Sequence, residues 1–130
     1  GLADPTLRQE VILRRLEFER DPARFARKFA AEGQRLAKSI VRARKLLPRV
    51  TAGPEVLERV VQLVLGLGVD GHRGDLTLLK TAITLAALDG RRQATPADVD
   101  AAALLALPHR LRRRPLAEME FDIAERIKRI

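Results

Sequence analysis

A chain of 130 residues, 46% of them hydrophobic and 32% charged, is long enough for one domain with a real core and short for two. It has no Cys and only two His, His72 and His109, which excludes a disulfide framework and a thiolate zinc site and leaves no intrachain metal site to expect. With no Trp or Tyr and four Phe, stacking of single-stranded bases has little to work with, and nucleic acid is not an expected partner.

No apolar run approaches the roughly 18 residues that a membrane helix needs, so no membrane contact and a cytoplasmic location are expected. The start, Gly1-Leu2-Ala3-Asp4, lacks an initiator Met and the layout of a signal peptide, and reads as a cut inside a longer polypeptide. The net charge of +8 is unevenly spread: residues 1–50 carry 13 basic and 6 acidic side chains, residues 51–107 carry 5 and 7, and residues 108–130 carry 7 and 4. The basic ends could attract phosphates or an acidic partner, although a solvated basic helix face is the commoner reason for such a pattern.

Proline punctuates the chain as an all-α one. Asp4-Pro5 opens a short first helix and Asp21-Pro22 a long second one. In each case proline stands at the first helical position, where its missing N–H would have had no partner. The second helix is predicted over 22–47, with Phe25, Phe29, Leu36, Ile40, Ala43 and Leu47 on one stripe, and Pro48 ends it. A soft division follows near Pro48–Gly53, giving a helical arm over 1–50 and a helical bundle over 51–130.

Gly53-Pro54 opens the third helix, whose Val56, Leu57, Val60, Val61, Val64 and Leu65 are expected on one face. Residues 75–89 are apolar nearly all round apart from Thr77, Lys80, Thr81 and Thr84. That helix is expected at the buried centre of the bundle, with Gly90 as its left-handed stop. Thr95-Pro96-Ala97-Asp98 has capping-box spacing for the next helix, and Pro108 follows that helix. A final amphipathic helix repeats Leu116, Met119, Ile123, Ile127 and Ile130, a docking face for a neighbour. No segment alternates as a strand would.

The informative stretch joins two helical segments: Gly66-Leu67-Gly68-Val69-Asp70-Gly71-His72-Arg73-Gly74-Asp75. Its four glycines mark either a tight corner or a surface that a ligand must reach closely. Asp70 can cap the following helix, which leaves Gly71, His72 and Arg73 in its first turn. A cation there faces the positive end of the macrodipole, at a cost of about 0.3–1 kcal/mol. That placement makes sense if an anion is met, because free N–H groups and a guanidinium fork converge on phosphate. It equally permits a plain surface ion pair from Arg73 to Asp75 or Asp70. His72 reads as a capping or surface residue.

In order along the chain stand Gly68-Val69-Asp70-Gly71-His72-Arg73-Gly74-Asp75, Gly90-Arg91, Thr95-Pro96-Ala97-Asp98-Val99 and Leu107-Pro108-His109-Arg110-Leu111-Arg112-Arg113-Arg114-Pro115. Upstream come Arg14-Arg15-Leu16-Glu17-Phe18 and Ala43-Arg44-Lys45-Leu46-Leu47-Pro48. The series closely resembles the C-terminal lid of the ATPase subunit of magnesium chelatase and its cobalt-chelatase-like relatives; MoxR-type ATPases share the histidine-arginine ending. The resemblance implies an AAA+ lid bundle in which Arg73 is the sensor-2 arginine. Gly71, His72 and Arg73 would then approach the phosphates of ATP, and the glycines would be a hinge with clearance.

It further implies ATP and Mg²⁺ held mainly by a core domain that this stretch of chain does not contain. The partners it implies are that core, a homo-oligomeric ring of six subunits and other chelatase subunits. The arm and the last helix are expected to make such contacts, and the basic segment 109–114 to face neighbouring subunits. The activity implied is ATP-driven remodelling of a complex that inserts Mg²⁺ into protoporphyrin IX, for chlorophyll. The chain has no G-x-x-x-x-G-K-[ST] phosphate loop, so it is not expected to be catalytic alone. The competing readings are a basic helical module that binds nucleic acid and an adaptor using its long helix as an arm; neither gives Arg73 a special duty.

Overall fold

The computed structural model describes residues 4–69, 72–107 and 116–130, with the backbone alone for 116–122. Six α-helices are present among them: α1 (Pro5–Arg20), α2 (Pro22–Leu46), α3 (Pro54–Leu67), α4 (His72–Leu88), α5 (Pro96–Ala106) and α6 (Leu116–Arg129). The protein is all-α, as its proline spacing predicts, and Pro5, Pro22, Pro54 and Pro96 each occupy the first position of a helix. The chain forms two compact units, Gly1–Ser39 and Ile40–Ile130. They divide within α2.

In the first unit, Asp4 caps α1 by accepting from the Thr6 N–H at 2.8 Å. Asp21 stops α1 and starts α2: its own N–H bonds the Glu17 carbonyl, and its carboxylate accepts from the Arg24 N–H at 3.0 Å. With that turn made, α1 and α2 meet through a short aromatic ladder. Phe18 stands edge-on to Phe25 at 5.8 Å between ring centres, and Phe25 lies 4.8 Å from Phe29. Lys28 reaches back to both oxygens of Glu17 at 3.0 Å. No residue of α1 is buried, and Leu7, Val11, Ile12, Leu13 and Leu16 are exposed.

The second unit carries the core. Val56, Val60, Leu63, Val64 and Leu67 of α3 pack with Leu78, Ala82 and Ala86 of α4, Val99, Ala102 and Ala103 of α5, and Ile123 and Ile127 of α6. Leu63, Leu78, Leu107 and Ile123 are fully buried, each stabilising the fold by about 1.5–3 kcal/mol. The α3 face differs from the expected one. The row Leu57, Val61, Leu65 is solvent-exposed and the buried row runs through Leu63 and Leu67, so the apolar stripe is wider than the packed one. Helix α4 lies against α3, α5 and the 3-10 turn Leu47–Arg49. It shares the centre with α3, because its Leu76 and Leu88 are exposed.

The last helix was expected to offer its apolar face to a neighbour. Ile123 and Ile127 instead cover the core against α3 and α5. Leu116 and Met119 lie outside the described side chains. Arg59, with its side chain 17% exposed, ties three helices together. It donates to Asp100 of α5 at 2.7 Å and to the Ile127 carbonyl of α6 at 3.2 Å. A second clasp escaped sequence reading. Thr51 and Gln93 form an isolated parallel bridge, with the Thr51 N–H on the Arg92 carbonyl and the Ala94 N–H on the Thr51 carbonyl, both 2.9 Å.

Candidate functional site

The corner between α3 and α4 is built mostly by its glycines. Gly68 takes φ +66° and ends α3, with its N–H on the Leu65 carbonyl at 3.2 Å and the Val69 N–H on the Val64 carbonyl at 3.1 Å. This double bond pattern closes the helix and needs a left-handed residue. Gly66 leaves room for Ile130: a Cβ there would stand 2.5 Å from the Ile130 Cδ1. Gly74 is buried in the first turn of α4, where a Cβ would stand 2.8 Å from the Val69 Cγ1. Three of the four glycines thus have local packing or turn duties. The fourth, Gly71, lies with Asp70 outside the described residues.

On that turn the structure places Arg73 and His72 side by side, both exposed. Asp75, the partner offered to Arg73 by the surface-pair reading, faces His72 instead. Its Oδ2 lies 3.6 Å from the His72 Nδ1, beyond hydrogen-bond reach and an ion pair only when the imidazole is protonated. Among the described residues Arg73 has no carboxylate partner. The Thr77 hydroxyl donates to the Arg73 carbonyl at 2.7 Å, and Thr81 and Thr84 likewise donate to the carbonyls four residues back. The threonine strip of α4 therefore satisfies much of its own hydrogen bonding.

The other end of α4 is held by a charged network. Gly90, at φ +76°, ends the helix, with its N–H on the Ala87 carbonyl at 3.0 Å and the Arg91 N–H on the Ala86 carbonyl at 2.9 Å. Arg91 then grips Asp98 of α5 with both arms, at 2.8 and 2.6 Å, and reaches Asp89 at 2.9 Å. The Thr95 N–H and hydroxyl also donate to Asp98, at 2.7 and 3.0 Å. The Arg91 hydrogen bonds, with help from Thr95, outweigh burial and hold the Asp98 carboxyl at about 2, below its usual 3.8. The spacing of Thr95 and Asp98 foretold the cap; nothing in it foretold Arg91.

Residues 57–130 match the family described as the AAA lid domain, more than half of the chain. The chain belongs to the AAA lid domain family. This lid is 42% identical over 126 residues to the magnesium-chelatase 38 kDa subunit of Chlorobaculum tepidum, covering 97% of this chain and 32% of that protein. It is 43% identical over 115 residues to a magnesium-chelatase subunit ChlI homolog of Methanocaldococcus jannaschii, covering 88% and 32%. To the magnesium-chelatase 38 kDa subunit of Acidiphilium rubrum it is 47% identical over 111 residues, covering 85% and 32%. The lid spans about a third of the length of these relatives.

The basic segment 109–114 lies outside the described residues. Within the first unit, Glu17, Arg20, Asp21, Arg24 and Phe25 line a cleft of about 290 Å³ at the α1–α2 turn; none of them was singled out as a site residue. No helix among the described residues is long and apolar enough to cross a membrane.

Proposed function

We propose that this lid serves an AAA+ ATPase of the magnesium-chelatase type, in which Arg73 is the sensor-2 arginine. The observation that carries the reading is the exposed Arg73 in the first turn of α4, with no carboxylate partner among the described residues and with Asp75 turned to His72. A guanidinium held at the positive end of a helix, at a cost of about 0.3–1 kcal/mol, is arranged to meet an anion. Phosphate oxygens fit that chemistry through the fork of Arg73 and the first N–H groups of α4, with His72 in the same turn. The alignment with magnesium-chelatase subunits over nearly the whole chain supports the same assignment.

Bound ATP supplies the phosphoryl group whose transfer to water drives the cycle. Arg73 binds and orients its phosphates and offsets charge as it develops, an electrostatic role that works best where water is excluded. For Mg²⁺ the described residues hold no cluster of three or more His, Asp or Glu able to ligate it, and we assign it with most of the nucleotide to the core domain. Residues 1–50 act as the arm and 51–130 as the lid bundle. The assembly is a cytoplasmic homo-oligomeric ring of six subunits. It works with the other chelatase subunits to insert Mg²⁺ into protoporphyrin IX, without membrane or nucleic acid.

The test compares steady-state ATP hydrolysis by this chain alone and by the full-length polypeptide carrying it with its core. Hydrolysis by the full-length protein and none by the isolated lid is the expected pair of results. Turnover by the isolated lid, or none by the full-length protein, overturns the reading.

A further inference from the structure

We infer that Val69 and Gly74 form the positioning device that sets Arg73, with the closing end of α3 as its abutment; the inference rests on the sensor-2 reading of Arg73. Gly74 is the residue next to Arg73, and it is buried although Arg73 is exposed. What it packs against is the side chain of Val69, whose Cγ1 would lie 2.8 Å from a Cβ at position 74. Ordinary contact for such a pair begins at 3.4 Å, so even one added methyl must push the first turn of α4 away.

Val69 cannot readily yield. A β-branched side chain is stiff about χ1, and Val69 is buried as part of the core cluster. Its N–H is bonded to the Val64 carbonyl at 3.1 Å, and Gly68 before it is locked in the left-handed cap. The end of α3 is in turn pinned from outside by α6. Arg126 donates to the Gly66 carbonyl at 3.1 Å, and Ile130 fills the space that Gly66 leaves. Among the described residues it is this steric stop, and no ion pair of the arginine, that sets the position of the turn carrying Arg73. No carboxylate among the described residues takes the Arg73 guanidinium, whose five donors can then serve a ligand.

A shift of half an ångström or more is the minimum that Gly74→Ala forces, from 2.8 Å towards ordinary contact. Misplacement by 1 Å can cost about 10²-fold in rate, so about a tenfold fall in ATP hydrolysis is expected of the full-length polypeptide. Val69→Ala removes the stop and lets the turn wander, so it also lowers hydrolysis. The pair Val69→Ala with Gly74→Ala removes the two Val69 γ-methyls and adds one methyl on the facing side of the contact, and is expected to recover to within about threefold of wild type, as coupled neighbours do. In an Arg73→Ala background Gly74→Ala should change hydrolysis by less than about twofold, because the arginine it positions is gone. A merely destabilising substitution would remain additive there.

Wild type, Gly74→Ala, Val69→Ala, the double variant and their Arg73→Ala counterparts are assayed together, each with a thermal melt. Should Gly74→Ala fail to fold, Val69→Ala and the double variant still decide the matter. Gly74→Ala at the wild-type rate, additive loss in the Arg73→Ala background, or no recovery in a folded double variant overturns the inference while Arg73 keeps its role. Wild-type hydrolysis in Arg73→Ala overturns the sensor-2 reading, and the inference with it.

Discussion

Asp98→Asn keeps the size of the side chain and removes the charge of a carboxylate that accepts four hydrogen bonds from Arg91 and Thr95. In the native protein Asp98 is 8% exposed and accepts from both arms of Arg91 and twice from Thr95. Arg91 holds its carboxyl at about 2 against a usual 3.8. At about 1.36 kcal/mol per unit that is on the order of 2 kcal/mol. Because the Arg91 side chain is 37% exposed, screening trims this to about 1–2 kcal/mol. The folded value is depressed, so this stability is fully present above the unfolded value near 4. It is lost as pH falls towards 2, when the folded carboxylate takes up its proton. For a unit of this size the thermal midpoint should fall roughly 5–15 °C in Asp98→Asn at pH 7, at roughly 4–8 °C per kcal/mol. Melts followed by circular dichroism from pH 7 to pH 2 measure it, and the gap between wild type and variant should close over the last two units. A variant that melts with wild type at pH 7, or a gap that persists undiminished at pH 2, refutes the reasoning.

Gly90→Ala isolates a backbone effect, since a Cβ at that position meets nothing within 4 Å while φ is +76°. It should cost about 1–2 kcal/mol in a denaturant titration, from the left-handed conformation alone, and a loss much below that would contradict the cap geometry. Arg59→Ala removes the donors to Asp100 and to the Ile127 carbonyl. It should destabilise by about 1.5–3 kcal/mol, the worth of charge-assisted hydrogen bonds, and speed proteolytic cleavage in α6 ahead of the other helices of the second unit. Uniform cleavage across that unit would show that Arg59 does not hold α6.

The helical class could be read from Pro5, Pro22, Pro54 and Pro96 because proline's geometry acts locally, at the position where it stands. The capping box of Thr95 with Asp98 could be read for the same reason. The burial of α3 could not, since Leu57, Val61 and Leu65 are as apolar as Val60 and Val64 and only the neighbours decide which row is covered. The fate of α6 was equally hidden: Ile123 and Ile127 have the pattern of a docking face, and the groove that receives them belongs to the same chain. At the corner, Arg73 stood out through its wrong-sign place on the helix. The work of Gly66 and Gly74 did not, because it depends on Ile130 and Val69 arriving from other elements. Pairing of Arg91 with Asp98 across seven residues likewise needs the turn at Gly90 to exist first.

As the proposed sensor-2 residue, Arg73 gives up helix stability to meet a phosphate. Steady-state ATP hydrolysis by the full-length polypeptide, wild type against Arg73→Ala, with a melt of each, tests it most directly. A fall of at least about tenfold is expected, with up to about 10³–10⁵ open to an arginine acting on the transition state. Stability should be unchanged or slightly raised, by about 0.3–1 kcal/mol, as a cation leaves the positive end of α4. Hydrolysis at the wild-type rate in a folded Arg73→Ala protein would contradict it and return Arg73 to the solvated surface.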